Sequence, residues 1–389
     1  MNKILLVFIL VSNLISAQNK KFTGIIKDAT TLQPVEFVNI YFDDTTNSNS
    51  TGAISNELGE FSFSNTNALV IFNHINYDPL AMTLTENANE ILLQPKNYIL
   101  DEIIISKTNP RDYLKNIIKN SNSKIDKNTL LKSYCREIVK INNQYTKFSD
   151  ALVDYYVKKG NGKSNIILTQ SRALKGQQID STDTSNIDNL NSAFNIKDYV
   201  KNAYNFKVVE DLLKEKEYEF ERKIKKEANG EEYEYVEIIP NIDSGKMLSK
   251  GYIIIDQKTN SILEFKIYTA ESHLKNAKLV NLLIAKAKLT YAMNWSKFKI
   301  INNQYILIYN KIRVGLFVKM GKKIDDDFDF ISDLFVYDFK NHVEIPDNGY
   351  KKKTIFEGGT SYKEEFWKKY NSFPLTESEQ KFINSVKQK

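Results

Sequence analysis

The alternation of apolar and polar positions divides the chain into two β-rich stretches with different spacing. From Phe22 to Leu93, short runs are separated by turn residues: Lys21–Lys27, Val35–Phe42, Thr51–Ser55, Gly59–Phe63, Leu69–Asn73, Leu80–Leu84 and Ile91–Leu93. Val38, Ile40 and Phe42 share one parity while Phe37, Asn39 and Tyr41 share the other, the period of two required of half-buried strands. Seven such runs at this spacing leave no room for a helix and predict a β-sandwich. Gly59 stands where a tight reversal must precede Phe61, and glycine reaches positive φ there without a Cβ clash.

The period changes after Asn109-Pro110, an N-cap followed by proline at the first helical position. Leu114, Ile117, Ile118 and Ile125 recur on one face and predict an amphipathic helix over 110–126. Longer strands follow at Tyr134–Ile141, Tyr145–Tyr156 and Ser164–Thr169, and the Ser-, Thr-, Asp- and Asn-rich stretch 177–193 reads as a loop. Further strands are expected at Tyr218–Ile224, Glu232–Ile239, Gly251–Asp256, Ile262–Tyr268, Ile284–Trp295, Phe298–Ile301, Tyr305–Val318 and Phe328–Phe339, with a hairpin turn at Gln257–Asn260. Thr376, with Glu379 three residues on, starts a last helix over 376–386. The fold class is therefore mainly β: a seven-stranded N-terminal sandwich, then a larger antiparallel sheet domain with a few flanking helices. Segments such as Tyr305–Tyr309 are apolar on both parities and must be covered on both faces, by the two helices or by an apolar ligand in a groove.

The N-terminus changes the expected compartment. Lys3, an apolar run Ile4–Val11, a polar break at Ser12-Asn13 and the small residues Ser16-Ala17 have the anatomy of a secretory signal peptide over 1–17. No cysteine stands at the cleavage point, where Gln18 follows Ala17, so no lipid-anchored N-terminus is expected. The mature chain then divides into a sandwich over 18–105 and a second domain over 106–389, and 42% hydrophobic and 12% aromatic residues suit packed cores. Export permits disulfides, but Cys135 is the single cysteine, so none forms within the chain. The net charge of +6 is scattered among 48 acidic residues without a run of like charge, which argues against nucleic acid and leaves peripheral contact with an anionic membrane open. No later stretch has the apolar length of a spanning helix.

Gly24-Ile25-Ile26-Lys27-Asp28, Gln33-Pro34-Val35, Thr51-Gly52, Asn56–Phe61 and His74-Ile75-Asn76-Tyr77 together resemble the carboxypeptidase-regulatory-like domain. The resemblance implies a transthyretin-like sandwich of seven strands, common at the N-termini of exported Gram-negative proteins that include outer-membrane receptors. The family has glycine where Asn76 stands, and asparagine is expected to take the left-handed conformation in its place. Leu100–Ile105 resembles the strand that ends this domain. The 284 residues after Ile105 lack the alternating, aromatic-ended strands of a receptor barrel. Tyr134-Cys135-Arg136-Glu137, Asp150–Tyr156 and the closing Phe366–Asn371 and Pro374-Leu375-Thr376 are similar to elements of a group of uncharacterised exported proteins, which carry an aromatic in place of Cys135.

No peptidase chemistry accompanies the resemblance. His74, His273 and His342 stand alone, outside any HExxH or HxxE spacing, and there is no GxSxG elbow or phosphate-binding glycine loop. Cys135 lies inside a strand pattern and reads as a buried small hydrophobe. Asp325, Asp326, Asp327 and Asp329 form the one acidic cluster, weak candidates for calcium that lack the glycine and terminal glutamate of an EF-hand and read as a solvated turn. The expectation is a non-enzymatic envelope protein without a cofactor. In it the sandwich docks or spaces and the second domain binds a protein or cell-surface component; a carrier of an apolar ligand on a curved sheet and a hydrolase are the alternatives.

Overall fold

A computed structural model describes residues 20–387 except 43–51, 66–68, 87–88, 97–100, 104–107, 159–161, 177–193, 227–231, 283–284, 302–303, 322–323, 359–365 and 368–372. The expected signal peptide and the 177–193 loop lie outside the described residues. The chain forms two compact units, one comprising 1–96 with 363–377 and the other 97–362 with 378–389.

The first unit contains two sheets. β1 (Lys20–Asp28) is central in a three-stranded sheet, antiparallel to β4 (Glu60–Asn65) and parallel to β7 (Asn89–Leu93). The second sheet runs β3 (Ala53–Ile54), β2 (Asn39–Phe42), β5 (Leu69–His74) and β6 (Tyr77–Thr83). Phe22, Ile26, Phe61, Phe63 and Ile91 from the first sheet meet Ile40, Ala53, Val70 and Phe72 from the second in one apolar core. This is the seven-stranded arrangement that the alternation requires. Gly59 has φ +73 and its carbonyl accepts from Ile26 N–H at 2.8 Å. A Cβ there would meet the Ile26 oxygen at 2.4 Å, so both conformation and space demand glycine. Asn76, in contrast, is not at positive φ; its N–H closes the turn by donating to His74 Nδ1 at 3.2 Å.

The second unit is built on a twelve-stranded antiparallel sheet. Its path starts at β11 (Ser164–Lys175), β10 (Gln144–Val157), β9 (Thr129–Ile141), β19 (Ile324–Lys340), β18 (Gln304–Met320) and β17 (Ala285–Ile301). It continues through β15 (Ser261–Thr269), β14 (Ser249–Asp256), β13 (Glu232–Pro240), β12 (Tyr218–Lys226) and β8 (Asp101–Ile103), with β16 (Val280–Leu282) on β17. Two expectations change here. The strand expected to close the sandwich at Leu100–Ile105 contributes β8 to the edge of the large sheet, paired with β12. The expected break between Trp295 and Phe298 disappears into one 17-residue strand, because a bulge between Lys297 and Phe298 absorbs the change of parity.

Helix α1 (Pro110–Ser123) starts where expected, with the Asn109 side chain accepting from Arg111 N–H at 2.9 Å. It buries Leu114, Ile117, Ile118 and Ser121 on the sheet. Ser121 Oγ also accepts from Ile262 N–H at 3.0 Å, while Asn120 donates to the carbonyls of Thr259 and Asn260, so α1 grips the predicted hairpin turn. Two helices, α2 (Asp198–Tyr204) and α3 (Lys207–Lys214), were not legible as periodicity because each spans about two turns. Arg111 caps the last carbonyls of α3, donating to Leu213 O at 2.7 Å, and reaches Tyr218 O at 2.6 Å. Phe206 enters α3 at φ 49, an unfavourable conformation for a bulky residue, and is held there by complete burial with its ring 5.3 Å from that of Phe298. The last helix, α4 (Glu377–Lys387), lies over the opposite face of β9 to β11, where Glu379 meets Arg136 and Phe382 stacks on Tyr145.

Candidate functional site

Register assigns every side chain of the large sheet to one of two faces. On the helix-covered face, Leu131 and Cys135 of β9, Leu334 of β19, Phe298 of β17 and Phe265 of β15 join Leu114, Tyr199, Tyr204 and Val209 from the helices in one core. Tyr204 Oη accepts from Leu307 N–H at 2.8 Å, satisfying a backbone group that the neighbouring bulge frees from the ladder. The helices thus cover the Tyr305–Leu307 end of β18.

The strands continue well past that cover. Leu316 lies roughly 35 Å along β18 from Tyr305 at the usual strand rise. In register there, Val139, Phe330, Val314 and Ala292 form one row across four strands, Ile141, Phe328, Leu316 and Leu289 the next, and Val318 with Ala287 a third. Val139, Phe328, Phe330 and Ile324 are buried, with Phe194, Leu316, Val318 and Met320 packed against them. Ala287, Leu289, Ala292, Val314, Leu316, Val318 and Met320 are only half-buried. The result is an apolar strip at the end of the sheet remote from Tyr305, two full rows with a third on β17 and β18 that Asp326 of β19 borders beside Val318.

The opposite face carries charge. Arg172, Asp150, Arg136 and Asp333 stand side by side on four neighbouring strands, and Lys311 and Trp295 extend the row. Arg172 donates to both Asp150 oxygens, at 2.9 and 2.5 Å, and Tyr134 Oη donates to Asp150 at 2.8 Å. Arg136 donates to Tyr134 Oη and pairs with Glu379 at 3.1 Å. Burial works against the Arg136 charge, but the carboxylates of Glu379 and Asp150 and the Tyr134 hydroxyl hold its pKa above the ordinary value. Further along, the Glu264 carboxylate accepts from Trp295 Nε1 and Tyr252 Oη, both at 2.7 Å. Aromatic rings and paired charges alternate here, and the polar groups are spent on one another.

One acid is placed differently. Glu137, on the helix-covered face and 5% exposed, accepts from Tyr199 Oη at 2.8 Å and Ile355 N–H at 2.9 Å. Burial pushes its carboxyl up to about 7 in spite of those bonds. It ties α2 and the 354–356 segment to β9.

The residues singled out in the sequence are dispersed, with His342 exposed after β19. Cys135 is fully buried beside Tyr155 Oη at 3.8 Å, and burial pushes its thiol up to about 12, the opposite of an activated nucleophile. His74 is buried on β5, an inner strand, and His273 is buried with its Nε2 3.0 Å from Asn241 O. Asp325, Asp327 and Asp329 share one face of β19 and Asp326 takes the other. Asp325 pairs with Lys319 at 3.0 Å, Asp329 with Arg313 at 2.8 Å, and Asp326 accepts from Asn142 at 2.7 Å. Among the described residues no group of three or more His, Cys, Asp or Glu is placed to hold a metal ion. The apolar strip and the charged row were missed in the sequence. The charged row left a trace in Arg136 and Asp150, charges inside largely apolar strands.

No family model matches the chain, and no curated protein matches it. Among solved structures, the LolA-superfamily protein NE2245 from Nitrosomonas europaea is 13% identical, with a TM-score of 0.24 over 60% of this chain and 94% of that one. A DUF1329-family protein from Desulfovibrio piger is 9% identical, with a TM-score of 0.24 over 62% of this chain and 96% of that one. Lipovitellin is 8% identical, with a TM-score of 0.25 over 61% of this chain and 28% of its own. At TM-scores this low the likeness assigns this chain no function.

Proposed function

We propose that the chain is a non-enzymatic binding protein of the cell envelope whose large sheet holds an apolar molecule, such as an acyl chain, along the strip on β17, β18 and β19. The observation that carries this reading is the half-buried state of Ala287, Leu289, Ala292, Val314, Leu316 and Val318 in three adjoining rows of β17 and β18. A contiguous apolar surface of this kind on a soluble sheet is normally covered by a partner or a ligand. The favoured ligand is thin and flexible, because the strip is a shallow face with small residues, Ala287 and Ala292, along one side. The first unit serves as a docking or spacer module in this reading, as its resemblance to the regulatory-like domain implies, and the signal-peptide anatomy of residues 1–17 carries the chain out of the cytoplasm.

Native mass spectrometry of protein purified from its own envelope tests the reading. Bound lipid is expected, and it should be lost when Leu316→Asp and Val318→Asp are introduced together. A clean apo mass from the parent protein would sink the proposal.

A further inference from the structure

We infer that the loops 241–246 and 271–282 form a docking surface for an anionic lipid bilayer. Among the described residues of the second unit, the large apolar side chains left exposed are Ile242 at 65%, Leu274 at 40%, Leu279 at 45% and Val280 at 56%. All four belong to these two loops. The loops are bound to each other: Asn241 O lies 3.0 Å from His273 Nε2, and Asn276 donates to Lys246 O at 2.9 Å. His273 is 1% exposed, so the short 3-10 helix Glu271–Asn276 is anchored by its histidine while the adjacent Leu274 faces water. Val280 continues into β16, held on β17 opposite Ala287. Four costly exposures therefore sit on a constrained scaffold.

The charge around Leu274, Leu279 and Val280 is mainly positive. No acidic residue occurs between Glu271 and Asp325, while Lys275, Lys278, Lys286 and Lys288 fall among or beside the exposed apolar positions. Lys275, Lys278 and Lys286 are exposed. Asp243, beside Ile242, and Glu271 are the acids within the two loops, and Lys246 is engaged by Glu217 at 2.5 Å and Glu215 at 3.6 Å, so the lysines of 275–288 carry the attraction. Aliphatic side chains interleaved with lysines match the boundary of an anionic bilayer, where the apolar groups enter the acyl region and the ammonium groups meet lipid phosphates. A protein partner fits less well, since interface centres favour aromatics and arginine and are depleted in lysine, and this surface holds neither favoured type. The surface adjoins the apolar strip, since Val280 pairs with Ala287, but its test reads vesicle binding, and the Lys275 and Lys278 variant leaves the strip unchanged.

Cosedimentation of the full chain with phosphatidylcholine vesicles, with and without phosphatidylglycerol, reads the proposal directly. Binding is expected to the anionic vesicles alone and to weaken as salt is raised. Leu279→Asp with Val280→Asp, and separately Lys275→Glu with Lys278→Glu, should each weaken it by about tenfold or more. Leu32→Asp, at an exposed position of the first unit, should bind as the parent does. Circular dichroism confirms that each variant is folded. Absence of binding to anionic vesicles at low salt overturns the proposal, and so does either double variant binding as the parent chain does.

Discussion

The two faces of the large sheet are made by the same strands and solve burial in opposite ways. Beneath α1, α2 and α3, alternate residues are apolar and fill a core against Leu114, Tyr199 and Tyr204. On the other face of β9, β10 and β11, equally buried positions hold Arg136, Asp150 and Arg172, 2%, 0% and 6% exposed. The first face tolerates imperfect partners because dispersion and the hydrophobic effect are non-directional. The second does not, because every buried charge must meet a counter-charge and donors in good geometry. The difference teaches that loss of one polar member should be felt more sharply than loss of one apolar member.

The largest expected effect is therefore Asp150→Ala, which leaves two guanidinium groups buried with fewer acceptors. A loss of about 4 kcal/mol is expected, read from urea unfolding at constant slope. A loss under about 1 kcal/mol would erase the contrast between the faces.

Glu137 tests whether a charge can be placed on the apolar face without a cation. Its folded-state pKa of about 7 lies above that of the unfolded carboxyl. Its favourable contribution is accordingly complete below about pH 4.5 and is lost as pH rises through 7, by up to about 3 kcal/mol. Glu137→Gln should remove that part of the pH dependence. Urea midpoints measured at acidic and neutral pH check it, and a parent-minus-variant difference that stays constant with pH would refute it.

Within the helix-covered face, Leu114→Ala should cost about 3 kcal/mol by leaving a cavity under α1. Leu316→Ala on the half-buried strip should cost about 1 kcal/mol in the ligand-free protein. Thermal denaturation of both variants compares the packed end of the face with the end assigned to the ligand, and equal losses would show that the strip is ordinary core. The smallest effect belongs to Lys319→Ala. Its pair with Asp325 is exposed on both sides, and about 0.5 kcal/mol or less is expected from the same measurement.

Much of the fold was legible because strand alternation is a local property. The hairpin at 249–269 and the start of α1 at Asn109-Pro110 follow from turn and cap chemistry within a few residues. The destination of β8 was not legible: Asp101–Ile103 resembles the end of a sandwich, yet pairs with residues 223–225. Short helices α2 and α3 escaped because two turns are too few to establish a period. For the site, alternation showed that β18 is apolar on both parities, but not which stretch the helices would leave bare. The acidic run at 325–329 looked like one cluster, but the pleat splits it between two faces, and Lys319, Arg313 and Asn142 engage Asp325, Asp329 and Asp326 separately.

The amino-acid sequence by itself determined that this chain is mainly β and that it forms no internal disulfide. These follow from period, turn residues and a single cysteine. The tertiary structure alone decided that Arg136, Asp150, Arg172 and Glu379 meet, that Glu137 is buried against Tyr199 and Ile355, and that the strip on β17 to β19 runs beyond the helices. Each depends on register between strands or contacts between segments as much as 243 residues apart, and local pattern carries no record of which distant strand a given residue will face.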